Sequence, residues 1–195
     1  KGLLSSAIFD EDPCLFIETI RLQAQKGLVP TDPDFRIPLG QADIKKRGGD
    51  VTLISYGRSV LESLGAAKAL EEQGVSAEVV DLRTLLPLDV DTIVESVRRT
   101  RRAVVVHDAV QFAGPGAEIV ATLQAECFSQ LDAPIERVAS RFIPTPAAAA
   151  LEADQDAVVL DRHWIGLRPV ARVPDGAPGR ELELPVVPAA GDHGA

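Results

Sequence analysis

The sequence predicts an α/β fold built on a mainly parallel sheet, and three observations carry that expectation. Between residues 50 and 139, apolar runs of strand length alternate with stretches whose apolar residues recur at helical spacing. Glycine, proline or a capping aspartate stands at the joins between them. The third strand-like run, Ala103-Val-Val-Val-His107, is apolar almost throughout, as in a central strand covered on both faces. Such alternation implies right-handed crossovers that place helices on both sides of the sheet.

The elements follow in order. Residues 2–9 bring Leu3, Leu4, Ala7 and Ile8 to one side of a helix. Asp10-Glu-Asp12 ends it, because Pro13 disfavours helical geometry in the residue before it. Cys14-Leu-Phe-Ile17 then reads as a short strand. One helix and one strand make no core, so residues 1–18 are expected to be the end of another domain. Over residues 19–48 the periodicity dissolves among Gly27, Pro30, Pro33, Pro38, Gly40 and Gly48, which reads as an interdomain linker.

The main domain is expected over residues 49–160. Residues 51–56 form a strand stopped by Gly57. Val60, Leu61, Leu64, Ala67 and Leu70 mark a helix closed by Gly74. Residues 77–82 are the next strand, and residues 85–88 an apolar turn. Asp89 is placed as the N-cap of a helix carrying Val90, Ile93, Val94 and Val97. After the strand at 103–107, Gly114-Pro-Gly116 leads into a helix with Ile119, Val120, Leu123 and Phe128, and residues 135–139 are the last strand. Residues 161–195 form a proline-rich tail in which 170–173 and 181–187 could pair as a hairpin or stay extended.

Charge and composition exclude whole classes of function. The 195 residues carry a formal net charge of −9, which repels phosphate backbones and anionic membrane surfaces, so neither nucleic acid nor membrane is an expected partner. No apolar run approaches the ~20 residues that span a bilayer. Cys14 and Cys127 lack metal-ligand spacing and read as reduced, although a single disulfide between them is compatible with the sequence. A chain that starts at Lys1 and contains no methionine reads as a piece of a longer protein.

Three places could carry chemistry. His107-Asp108 ends an apolar strand, and a polar pair at the carboxyl end of a parallel strand can face a ligand crevice. The plainer alternative is a histidine whose nitrogens are satisfied by neighbouring groups. Gly114-Pro-Gly116 precedes a helix but lacks phosphate-loop spacing, and Glu118 would repel an anion there, so a tight turn is expected. Asp10, Glu11 and Asp12 offer oxygen ligands at a helix end, or simply a solvated acidic turn. His163 and His193 have no ligand spacing. No catalytic triad, CxxC or HExxH can be assembled, so no catalytic residue and no cofactor-binding residue is assigned.

Eight runs in register add a resemblance. They are Lys1-Gly-Leu-Leu-Ser-Ser-Ala-Ile8, Asp12-Pro-Cys-Leu-Phe-Ile-Glu18, Ile37-Pro-Leu-Gly-Gln-Ala42 and Asp50-Val-Thr-Leu-Ile-Ser-Tyr-Gly57. Val79-Val-Asp-Leu-Arg-Thr-Leu-Leu-Pro-Leu-Asp89, Val106-His-Asp108, Gly116-Ala-Glu-Ile119 and Asp132-Ala-Pro-Ile-Glu-Arg-Val138 complete the set. Together they resemble the β subunit of the decarboxylase component of 2-oxoacid dehydrogenase complexes, with Asp12 to Glu18 and Glu126-Cys-Phe128 leaning towards the branched-chain enzyme over the pyruvate type.

The resemblance implies a three-layer, transketolase C-terminal-like domain with a mainly parallel five-stranded sheet. It makes residues 1–18 the end of a pyrimidine-binding domain, and puts the contacts to thiamine diphosphate and Mg in the α subunit and in β residues before Lys1. It implies an α2β2 assembly with an α subunit and a second β subunit, with the dihydrolipoyl acyltransferase core as a further partner. It also implies a structural potassium held by Ala7, Asp10 and Asp12, with Asp12 standing where the family often has asparagine. The family often has His-Glu where this chain has His107-Asp108, and the tail after Trp164 does not match. A bacterial cytoplasm, or a mitochondrial matrix in a eukaryote, is the implied setting. The other hypothesis is a stand-alone, non-catalytic interaction module derived from such a subunit.

Overall fold

The computed structural model describes residues 1–140. Five strands, β1 (Asp43–Lys46), β2 (Val51–Ser55), β3 (Ala77–Asp81), β4 (Ala103–Val110) and β5 (Glu136–Ser140), form one sheet in the order β1-β3-β2-β4-β5. The pairings β3·β2, β2·β4 and β4·β5 are parallel, and β1 runs antiparallel to β3. The helices are α1 (Gly2–Ile8), α2 (Ser59–Glu72), α3 (Val90–Thr100) and α4 (Pro115–Cys127), with short 3-10 turns at Ile20–Ala24 and Phe128–Gln130.

The sheet divides two cores. On one face Val51, Leu53, Val79, Val104 and Val106 pack with Ala67 and Leu70 of α2. On the other, Ile54, Val80, Leu82 and Val105 pack with Ile93, Val94 and Val97 of α3 and with Ile119, Leu123 and Cys127 of α4. The result is the expected three-layer arrangement, with α2 on one side and α3 and α4 on the other. Every residue of β2 is buried, as a strand covered on both faces requires. β2 therefore holds the middle of the sheet, and β4, expected to be a central strand, lies inside it between β2 and β5 with Ala103 to His107 buried.

The helix ends obey their sequence signals. Gly74 (φ +78°) closes α2: its N–H donates to Glu71 O and that of Val75 to Leu70 O, a paired 5→2 and 6→1 closure. Asp89 Oδ1 accepts from the Thr92 N–H at 3.1 Å and caps α3. Pro115 occupies the first turn of α4, where a missing N–H costs nothing. At the other end of α3, Arg101 takes the left-handed conformation (φ 60°) usually given to glycine, and its guanidinium holds Asp132.

Two local expectations fail. Cys14-Leu-Phe-Ile17 is not a strand: among the described residues no strand pairs with it, and Leu15 is 88% exposed. Conversely, the stretch read as an irregular connector contains β1. Its sequence, Asp-Ile-Lys-Lys, has one apolar residue, so no alternating pattern could announce it. β1 is held by pairing to β3 and by the Arg83–Asp43 ion pair at 2.7 Å. The hairpin expected over 170–173 and 181–187, and His163 and His193, lie outside the described residues.

Candidate functional site

Polar groups gather at the carboxyl ends of the parallel strands, around His107. Side chains alternate across a strand, so the consecutive residues His107 and Asp108 leave β4 on opposite faces. The structure therefore separates the pair that the sequence offered as facing one crevice. His107 turns to the side of α4, while Asp108 turns to α2: its Oδ1 accepts from Ser59 Oγ at 2.5 Å, and Arg58 Nε stands 3.4 Å from Oδ2. Arg58 also faces Glu62 at 3.3 Å, one helical turn on. Among the described residues Ser59 thus meets a carboxylate with no imidazole beside it, and this grouping ties β4 to the start of α2.

His107 is 3% exposed. Its ring stacks on that of Tyr56, just past β2, with centroids 6.1 Å apart and planes 14° from parallel. On its far side lies the turn into α4. A Cβ built on Gly116 would stand 2.2 Å from Nε2, and one on Gly114 would stand 3.2 Å from Cε1. The glycines are therefore needed to admit the imidazole. The turn is tight, as expected, and its glycines make room for a side chain of the same domain.

Neither ring nitrogen reaches a hydrogen-bond partner of good geometry. Burial, reinforced by the charge of Arg137, lowers the His107 pKa below its ordinary value, although the Ala109 backbone and the Asp108 carboxylate pull the other way. Burial, followed by the Asp108 charge, raises the Tyr56 phenol. The alternative reading, a histidine satisfied by its neighbours, is met only in part: the Ala109 backbone acts on the ring without a hydrogen bond of good geometry. The site holds a buried imidazole whose pKa burial lowers.

The metal-ligand candidates lie at the end of α1. Ala7 is in its last turn, where carbonyl groups lack intrahelical partners. Asp10 Oδ1 accepts from the Asp12 N–H at 3.0 Å, and both side chains are exposed. Among the described residues no group of three or more His, Cys, Asp or Glu side chains converges as a metal site. Cys14 is exposed, Cys127 is buried, and both are free thiols. No described helix is long and apolar enough to cross a membrane.

Sequence reasoning missed a second polar cluster, at the opposite end of the sheet. Glu78 is fully buried in β3, bonded through Oε1 to Arg99 of α3, with Arg47 at 3.7 Å from Oε2. Beside it Thr52 Oγ1 and Thr100 Oγ1 are 2.7 Å apart. The available signals were a glutamate within an apolar strand run and an arginine pair, Arg98-Arg99, in the helix that follows.

Comparison with known proteins agrees with this architecture. The sequence profile described as "Transketolase, C-terminal domain" matches residues 40–159. The chain is 48% identical over 140 residues to the pyruvate dehydrogenase E1 component subunit beta of Bacillus subtilis (strain 168), covering 72% of this chain and 43% of that protein. It is 47% identical over 150 residues to the mitochondrial 2-oxoisovalerate dehydrogenase subunit beta of Chaetomium thermophilum, covering 75% of this chain and 32% of that protein. The chain thus spans less than half the length of these relatives. Among solved structures, a split-gene transketolase described as an inactive beta4 tetramer superposes with a TM-score of 0.54 at 26% identity, over 64% of this chain and 40% of that one. The profile match and the shared fold place this chain in the transketolase C-terminal domain family.

Proposed function

We propose that the chain is the carboxy-terminal portion of the β subunit of a 2-oxoacid dehydrogenase decarboxylase component, and that it serves assembly rather than the chemical step. The observation that carries this reading is the 47–48% identity to β subunits of both the pyruvate and the 2-oxoisovalerate enzymes. In the complete enzyme, thiamine diphosphate with Mg supplies the decarboxylation chemistry, and acyl groups pass to lipoyl groups. Among the described residues the glycine turn before α4 is packed against His107, which supports looking elsewhere for the cofactor contacts. The cofactor contacts are assigned to the α subunit and to the rest of β.

An apolar surface supports the assembly role. Ile8, Phe9, Leu15, Ile17, Ile20 and Leu28 are all exposed, and side chains of this kind suit burial against a neighbouring domain or subunit. In this reading residues 1–18 close the pyrimidine-binding domain, residues 19–48 link it to the domain at 49–160, and 161–195 form a tail. Ala7, Asp10 and Asp12 contribute oxygen ligands to a structural potassium, completed from elsewhere in the subunit. The partners are an α subunit, a second β subunit and the dihydrolipoyl acyltransferase core. The compartment is a bacterial cytoplasm, or the mitochondrial matrix in a eukaryote.

The test is reconstitution. The chain, joined to the missing part of a β subunit and mixed with an α subunit, should release CO2 from 3-methyl-2-oxobutanoate in preference to pyruvate, and thermal stability should rise with potassium. The chain by itself should release none. Decarboxylation by the isolated chain would place the active site within it and overturn the proposal. Failure of any α subunit to bind, with the chain folded and monodisperse, would favour a stand-alone interaction module.

A further inference from the structure

The slot around His107 is built unlike an ordinary core position. The β4–β5 register slips between His107 and Val110, so the histidine is the last regularly paired residue before the loop to α4. Slips of this kind cluster beside functional positions, where they re-aim the chain. The ring is enclosed by Tyr56 on one side and by the backbone of Gly114 and Gly116 on the other, and neither nitrogen makes a hydrogen bond of good geometry. Buried polar atoms left unpaired are uncommon, and each one calls for an account.

Among the described residues, what favours a protonated ring is the Ala109 backbone, which carries no net charge, and then the Asp108 carboxylate. From β2 the ring meets Tyr56, a phenol kept protonated by burial. From β5 comes the positive charge of Arg137. From α4 come the partial positive charges of a helix N-terminus, while Glu118 in its first turn is exposed. Asp108, the anion that acts on the ring among the described residues, lies on the opposite face and is engaged by Ser59 and Arg58. An imidazolium in this slot would be a buried cation with no counter-charge on its own face among the described residues.

We propose that His107 is a proton-operated latch on the start of α4: neutral, it fills the slot between Tyr56 and Gly116, and protonated, it leaves the slot and frees residues 109–116 from the sheet. The freed segment is already irregular, with Ala113 at φ 54° and Phe112 facing solvent. Mild acid thereby loosens one loop at the carboxyl end of the sheet and leaves the strands paired.

The experiment uses the full chain with His163→Asn and His193→Asn, which leaves His107 as the sole histidine. Its ring proton shifts are followed by NMR from about pH 8 to about pH 5, the range in which histidine ordinarily titrates. Amide exchange is read in parallel. The expected result is a titration midpoint below that of a free histidine, with amides 109–118 losing protection several-fold over the same interval. Amides of β2 should keep theirs. A midpoint at the free-histidine value overturns the latch, and so does protection at 109–118 that ignores the titration. In His107→Phe, which keeps a flat ring without the proton, the acid-induced loss at 109–118 should vanish. Its persistence in that variant would also overturn the proposal.

Discussion

Nε2 of His107 lies where a side chain on Gly116 would begin, 2.2 Å from the position of its Cβ. The strand residue and the helix residue thus determine each other. Gly116→Ala forces the ring out of its stack on Tyr56 or pushes α4 off the sheet. Overpacking of this sort costs about 1–3 kcal/mol. Chemical denaturation at neutral pH should record that loss, and His107→Ala in the same chain should recover part of it by vacating the space. Additive costs of the two changes would show that the contact does not bind them.

Asp89 should control the acid limit of α3. Burial alone would raise its pKa, but the Ala42 N–H and the hydroxyl and N–H of Thr92 outweigh it and leave the carboxyl below its ordinary value of 3.8. A depressed carboxylate contributes stability that is fully present above its unfolded pKa and is lost as pH falls through the folded one. Asp89→Ala should cost about 1–2 kcal/mol at neutral pH, the usual worth of an N-cap. Asp89→Asn should keep most of the cap while flattening the acid dependence. Urea midpoints measured from neutral pH to about pH 3 distinguish the two variants.

The Glu78–Arg99 pair calls for a double-mutant cycle. Arg99→Ala leaves a fully buried carboxylate with only Arg47 nearby, and the loss should be about 1.5–3 kcal/mol, the worth of a hydrogen bond to a charged group. With Glu78→Gln already in place, the same Arg99→Ala change should cost distinctly less. Equal losses in both backgrounds would mean that the ion pair contributes nothing net.

The two thiols should differ sharply. Burial raises the pKa of Cys127, which packs from the end of α4 into the core against α3, whereas Cys14 is exposed. Alkylation at neutral pH should modify Cys14 in the native chain and reach Cys127 only in denaturant. Mass spectrometry of the two digests settles it.

The elements that local chemistry dictates were legible in the sequence. Asp89 caps, Gly74 closes, and the buried strands β2, β3 and β4 announce themselves as apolar runs. What escaped depends on pairing across long stretches of chain. β1 exists because the edge of β3 accepts it, about thirty residues later in sequence. Cys14-Leu-Phe-Ile17 has the composition of a strand but no described partner, and composition alone forms no hydrogen bonds. The same holds at the site. His107 and the glycine turn were each noted, but their contact, and the stack on Tyr56, follow from the register of β2 against β4. The opposite orientation of Asp108 needed only the alternation of strand side chains.

The antiparallel strand β1 has a practical consequence for handling the domain. Its four residues shield the outer hydrogen-bonding edge of β3, in which Val79 and Val80 are wholly buried. A recombinant version begun at Val51, where the parallel unit starts, would bare that edge and offer it to a second molecule. Such a protein would be prone to aggregate however well its core folded, and retaining the modest Asp43–Lys46 segment is the simplest way to keep it soluble.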